Sequence, residues 1–141
     1  MDITQLAVYV NKIEELSSVT KMMAPVYLRD FIQGQDVATN LFARAVKADA
    51  KAKARLEYVE SIAYLENAKA YLDAKGIKDT SEARKQYVNV DPDVVEAKDQ
   101  KAQTEALVIL LKGKCSELRQ AHDDLKRITY DNPHMTPYEG M

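Results

Sequence analysis

The feature that most limits what this chain can fold into is a run of apolar residues in its first half. Val37, Leu41, Ala45, Ala48, Ala52, Leu56, Val59 and Ala63 succeed one another at steps of 4, 4, 3, 4, 4, 3 and 4. Helical geometry brings such positions onto one side. The pattern repeats every eleven residues, about 3.67 residues per turn, which predicts a nearly straight helix with a slight right-handed drift. Its alanine-rich middle lets a partner helix approach closely. The helix is expected to run over 35–75, with Gly76 as its C-terminal stop. About 40 residues at ~1.5 Å each make a rod of roughly 60 Å. A rod of that length cannot fold back on itself, so it needs partners.

The flanking segments are also helical in pattern. Asp2 with Gln5 three residues on suits a capping box, and Ile3, Leu6, Val10 and Ile13 recur at helical spacing, so 3–17 reads as a short amphipathic helix. The Ser17-Ser18-Val19-Thr20 stretch is a poor helix former and is expected to break it. Pro25 suits the first turn of a second helix, which Gly34 bends or interrupts and Gln35 restarts. After Gly76, the residues Asp79, Thr80 and Ser81 offer N-caps for a short helix from Glu82 to Val88. Asn89-Val90-Asp91-Pro92 reads as a turn, with Asp91 as N-cap and Pro92 at the first helical position of a long last helix. Leu107, Leu111, Leu118, Leu125 and Ile128 form a heptad-like seam on it, with Val108, Leu110 and Cys115 alongside. Gly113 permits close packing there.

The expected fold class is therefore all-α. Short N-terminal helices (1–34) precede a long basic helix (35–75), a loop with a short helix (76–91) and a long helix (92–129). The two long helices form an elongated helical hairpin in one domain over 1–129, which assembles into an oligomer. Residues 130–141 hold two prolines and a glycine without periodicity and read as a flexible tail.

Several functional classes fit the residue inventory badly. No apolar run approaches the roughly 20 residues that span a bilayer, and Asp2, Gln5, Asn11 and Lys12 interrupt any signal-peptide core. One cysteine, Cys115, excludes an intrachain disulfide framework and a cysteine-based metal site, and points to a reducing, intracellular setting. Of the two histidines, His134 lies in the tail and His122 beside the apolar seam. No glycine-rich phosphate loop occurs, and Asp123 and Asp124 stand about 100° apart on a helix. A non-enzymatic protein with no cofactor and no metal is expected.

The net charge of −2 hides an asymmetry. Residues 44–85 carry ten Lys/Arg against seven Asp/Glu, whereas the segments on either side are acidic. Arg44, Lys47, Lys51 and Arg55, at steps of 3, 4 and 4, make one cationic stripe beside the apolar one. Lys53 adds charge on another flank, and Asp49 is the one acid in the run. Such a stripe spans about 16 Å of helix. It suits an extended polyanion held through its phosphates, and it equally suits a solvated face of a long helix. Tyr58, Tyr64, Tyr71 and Tyr87 could stack on bases or serve as half-buried packing residues. Lys112, Arg119 and Lys126, at seven-residue steps, suit a solvated flank or inter-subunit pairing.

The segment Lys53-Ala54-Arg55-Leu56-Glu57-Tyr58 resembles the Lys-Ala-Arg-Leu-Asp-Tyr run of the T-even phage recombination mediator (UvsY) family. Arg84-Lys85 near Tyr87-Val88, then Asp91, Asp93-Val94, Leu107, Leu110-Leu111 and Cys115-Ser116, keep a similar order, and chain length is comparable. The resemblance covers about residues 45–128. It implies a small helical homo-oligomer, ring-like, that binds single-stranded DNA. Such a protein helps load a RecA-type recombinase onto DNA covered by single-strand-binding protein, in the cytoplasm of a phage-infected bacterium. It assigns DNA contact to Lys53 and Arg55. With the residues chosen by spacing or by order, the candidate DNA-binding set is Arg44, Lys47, Lys51, Lys53, Arg55, Tyr58, Arg84 and Lys85. The longer central helix past Tyr58 and the proline-containing tail depart from the family. The competing expectation is a helical coiled-coil adaptor with no nucleic-acid role.

Overall fold

The computed structural model describes residues 3–15 and 23–128. The expected Asp2 cap, the break at Ser17–Thr20 and the tail fall outside the described residues. Among those residues the chain is all-α, without a strand. A 3-10 turn (Thr4–Leu6) leads into α1 (Ala7–Glu14). Helix α2 comes next (Ala24–Ile62), then a π-helical segment (Ala63–Asn67), α3 (Ala68–Lys75), α4 (Ser81–Val88) and α5 (Pro92–Lys126). None of the described helices is long and apolar enough to cross a membrane.

The central helix starts earlier than its sequence pattern suggested. Gly34 does not interrupt it, because α2 is continuous from Ala24. Gly34 is instead buried at a close approach. A Cβ built there would meet Cβ and Cγ of Tyr9 on α1, both at 2.9 Å. The apolar stripe consequently extends back through Ala38, Phe31, Leu28 and Ala24, all buried. Of the eight stripe residues read from the sequence, Leu41, Ala45, Ala52, Val59 and Ala63 are buried, and Val37, Ala48 and Leu56 are half-buried.

The chain packs as two compact units, one drawn from residues up to Ala45 and from Ile109 onward, the other formed by Val46–Val108. In the first, Phe31 and Leu41 of α2 and Leu111, Leu118 and Leu125 of α5 are at most 1% exposed. Burial of each contributes roughly 1.5–3 kcal/mol. Three of the five predicted seam leucine and isoleucine positions are thus core of the chain's own fold. Leu107 is half-buried, and Ile128 is exposed. Cys115 on α5 shares a hydrogen bond with Thr39 on α2, but burial is the larger effect and pushes its thiol up. That is the signature of an unreactive, packed cysteine. Helix α1 is tied down by an ion pair from Lys12 to Asp30 and by the Tyr27 hydroxyl, which donates to Glu15 at 2.7 Å.

In the second unit, Val59 and Ala63 meet Val94 and Ala97, with Leu56, Tyr87 and Val88 packed around them. The caps read from the sequence are in place. Gly76 takes the left-handed conformation (φ 67°), and its N–H donates to the Asp73 carbonyl while that of Ile77 donates to Leu72. This pair closes the end of α3 in a Schellman arrangement. Thr80 accepts from the Ala83 N–H at 3.1 Å and starts α4. Asp91 caps α5 by accepting from the N–H groups of Asp93 and Val94 at 2.9 and 3.2 Å.

Asp91 is 2% exposed, which is unusual for a carboxylate. Its other oxygen accepts from the Tyr87 hydroxyl at 2.7 Å and the Asn67 amide at 3.3 Å. Burial alone would raise its pKa, but these hydrogen bonds outweigh it and hold the carboxyl below its usual range. Burial, then the Asp91 carboxylate, push Tyr87 up to about 12.

Gly34→Ala should destabilise the protein by about 1–3 kcal/mol despite the better helix propensity of alanine, because the new methyl meets the base of the Tyr9 side chain; thermal denaturation reads this. Asp91→Ala should cost about 2 kcal/mol at neutral pH in urea denaturation, from the lost cap and two stranded donors. The contribution of Asp91 is present above its unfolded pKa of about 3.9 and is lost as pH falls through the lower folded value. That of Tyr87 is complete below about pH 10 and disappears as pH rises through its raised pKa.

Candidate nucleic-acid interface

Helix α2 presents its cations because its apolar stripe is turned inward. With that stripe packed in the interior, residues offset by about 90° from it must face solvent. Arg44, Lys47, Lys51, Lys53 and Arg55 are all exposed. Arg44 lies in the first unit, whereas Lys47, Lys51, Lys53 and Arg55 lie in the second. Among the described residues, none of the latter four is in an ion pair with a carboxylate. Lys47, Lys51 and Arg55 share one side of the helix at steps of four, over about 12 Å. Lys53 stands on the other flank.

The acid within this run is held away from the cations. Asp49 accepts from the Thr104 hydroxyl at 2.7 Å and from the Lys101 ammonium at 3.0 Å, both on α5. The Thr104 hydrogen bond, then that of Lys101, lower the pKa of Asp49 against the opposing effect of burial, with a weaker pull from Lys53. Lys101 also reaches Glu105 at 3.3 Å. The carboxylate is occupied on the inner side. It stands two residues from Lys47 and from Lys51, about 160° around the axis from both, and of the cations only Lys53, four residues on, shares its flank. Like charges at i,i+4 repel by a few tenths of a kcal/mol per pair, so the arrangement is tolerated rather than favoured in the isolated chain.

The second half of the predicted set divides. Tyr58 comes three residues after Arg55 on α2 and is 66% exposed. Arg84 on α4 is half-buried, and its guanidinium forms a two-pronged pair with Asp79, both contacts at 2.7 Å. A third donor reaches the Tyr64 carbonyl at 3.1 Å, and the group lies over the Tyr64 ring at 5.8 Å. The Asp79 hydrogen bond is the main reason that Arg84 is raised and Asp79 lowered. Arg84 thus braces α4 against the π-helical segment. Lys85 is exposed and lines a groove of about 540 Å³ with Glu57, Glu60, Ser61, Tyr64, Leu65 and Val88. The structure places Lys47, Lys51, Arg55 and Tyr58 on one line, and leaves Lys53, Arg84 and Lys85 off it.

Sequence reading missed Thr104 and Lys101, the residues that hold Asp49 aside. Their pairing depends on the register between α2 and α5, over 50 residues apart in the chain, and helical periodicity carries no signal for it.

Searches of protein-family models, of curated proteins and of solved structures found no match to the chain.

Thr104→Val should lower the denaturation midpoint at pH 7 by removing the first hydrogen bond of Asp49. Because the folded pKa of Asp49 is depressed, the difference from the parent should shrink as pH falls through and below about 4. A pH series of thermal melts checks both.

Proposed function

We propose that the protein is a homo-oligomeric single-stranded-DNA-binding recombination mediator. In this reading it helps load a RecA-type recombinase onto DNA covered by single-strand-binding protein. The observation that carries the reading is the exposed line Lys47, Lys51 and Arg55, which is in no ion pair with a carboxylate among the described residues. The Lys53-Ala54-Arg55-Leu56-Glu57-Tyr58 resemblance supplies the recombination context, and it overlaps that line at Arg55 and Tyr58.

The chemistry is electrostatic. Each phosphate neutralised by a lysine or arginine releases condensed counterions, so affinity falls with salt, by about 0.7 log units per phosphate per tenfold salt for a single strand. A line of three or four cations binds weakly at physiological ionic strength. Assembly of several copies would raise affinity through effective concentration. Affinity of this graded kind suits a mediator, which must hold a strand yet yield it to a recombinase. Exposed Ile109 and Leu110 on α5, 70% and 43% exposed, favour assembly in general. They are equally compatible with a helical adaptor that has no nucleic-acid role.

The deciding experiment is a salt-dependent anisotropy titration with a labelled single-stranded oligonucleotide, together with light scattering. The double variant Lys53→Glu/Arg55→Glu should bind at least about tenfold more weakly at low salt and show a flatter salt slope. Lys47→Glu/Lys51→Glu should do the same. Stable oligomers whose parent form shows no salt-sensitive affinity would establish the adaptor reading instead.

A further inference from the structure

By residue type four tyrosines could stack on bases, and Tyr58 alone entered the candidate DNA-binding set; the four differ in their surroundings. Tyr64 shares a hydrogen bond with Ser81 at 3.1 Å and carries the Arg84 guanidinium on its ring. Tyr71 and Tyr87 face each other, ring centroids 4.8 Å apart, with Lys75 also over Tyr71 and the Tyr87 hydroxyl bound to Asp91. All three are occupied by the fold. Tyr58 is different. It is 66% exposed, and among the described residues it makes no hydrogen bond, ring contact or cation contact.

Its place on the helix is equally specific. Tyr58 is seven residues after Lys51 and three after Arg55. At 100° per residue it sits about 20° from Lys51 and about 60° from Arg55 around the axis, within two turns of both. A strand whose phosphates track Lys47, Lys51 and Arg55 would carry its bases past this ring. From that geometry we infer that Tyr58 is the specificity-determining residue of the cationic line: it stacks on an unpaired base, so the site takes single-stranded nucleic acid in preference to duplex. The inference rests on the nucleic-acid reading above and deepens it.

The physical reason is that the two kinds of contact reward different things. Lysine and arginine act on phosphates, which single strands and duplexes both display. An aromatic ring needs a base face, and in a duplex those faces are already covered by neighbouring base pairs. Stacking is also tolerant of sequence, since every base has a π-face, so no base-edge code is required of the protein. Stacking releases no counterions, which separates its signature from that of the lysines.

The test uses the full chain and matched single-stranded and duplex oligonucleotides. Tyr58→Ala should lose roughly five- to a hundredfold in single-strand affinity, the range expected for one stacked base. Duplex affinity and the salt slope for the single strand should stay at parent values. Tyr58→Phe, which keeps the ring, should bind like the parent. The chain has no tryptophan, so Tyr58→Trp creates a lone indole reporter, whose emission should be quenched by the single strand and not by the duplex. Because the side chain is exposed, all three variants should keep the parent's far-ultraviolet circular dichroism. Parental single-strand affinity in Tyr58→Ala would overturn the inference, as would equal loss for single strand and duplex. A changed assembly state with unchanged DNA affinity would also overturn it, and would make Tyr58 a subunit contact. These outcomes leave the functional proposal intact when the parent shows its salt-dependent binding. A parent that ignores both oligonucleotides defeats the functional proposal and this inference together.

Discussion

Four donors from three places in the chain converge on one carboxylate, Asp91. Asn67 comes from the π-helical segment, Tyr87 from the last turn of α4, and the N–H groups of Asp93 and Val94 from the start of α5. A charge at 2% exposure would be strongly unfavourable without such partners. With them it fixes where α5 begins and how α4 is set against it. The register of Val94 and Ala97 against Val59 and Ala63 derives from that start point. Farther along the same pair of helices, so does the meeting of Lys101 and Thr104 with Asp49. The place of Asp49 against α5 is thus linked, through helix register, to a second, buried carboxylate.

This linkage gives the cationic line a structural meaning beyond its composition. Five Lys/Arg in the twelve residues from Arg44 to Arg55 could have been neutralised by acids on a neighbouring turn or helix. Instead, the one carboxylate in the run is drawn inward by a hydroxyl and an ammonium. Arg84, by contrast, belongs to the same resemblance yet commits its donors to Asp79 and the Tyr64 carbonyl. Two arginines of similar sequence context therefore have different roles. Arg55 faces solvent and is available to a ligand, whereas Arg84 holds two helical segments together.

Most of the secondary structure was legible because local signals agreed with one another. The 4-4-3 pattern, Gly76 beyond the last turn of α3, Thr80 and Asp91 before their helices, and Pro92 at a first helical position each have a local physical cause. What escaped was tertiary. Gly34 looked like a helix breaker, since glycine lowers helix propensity, but its missing side chain serves the approach of Tyr9. The seam leucines Leu111, Leu118 and Leu125 suited an interface between copies as well as a core, and only packing distinguishes those uses. The cationic stripe was readable as a face, and spacing alone sets Asp49 on another side of the helix, but the Lys101 and Thr104 contacts that hold Asp49 were not readable, because they span more than 50 residues. Nor could spacing rank the tyrosines, whose differences lie in neighbours from other helices.

The π-helical segment has a consequence for how the chain can vary. Apolar stripe positions that are buried or half-buried step by four or three from Val37 to Ala63, then by five to Ala68, and by four again to Leu72. That single long step is what a widened turn produces: one extra residue is accommodated while the next helix keeps its facing. Losing any one residue between Ala63 and Asn67 would restore regular i→i−4 bonding, which looks harmless for a helix. It would also swing Leu72 by about 100° away from the interior and take Tyr71 with it, off Tyr87. Length in this stretch is therefore under tighter constraint than residue identity, and gaps should be rarer there than substitutions.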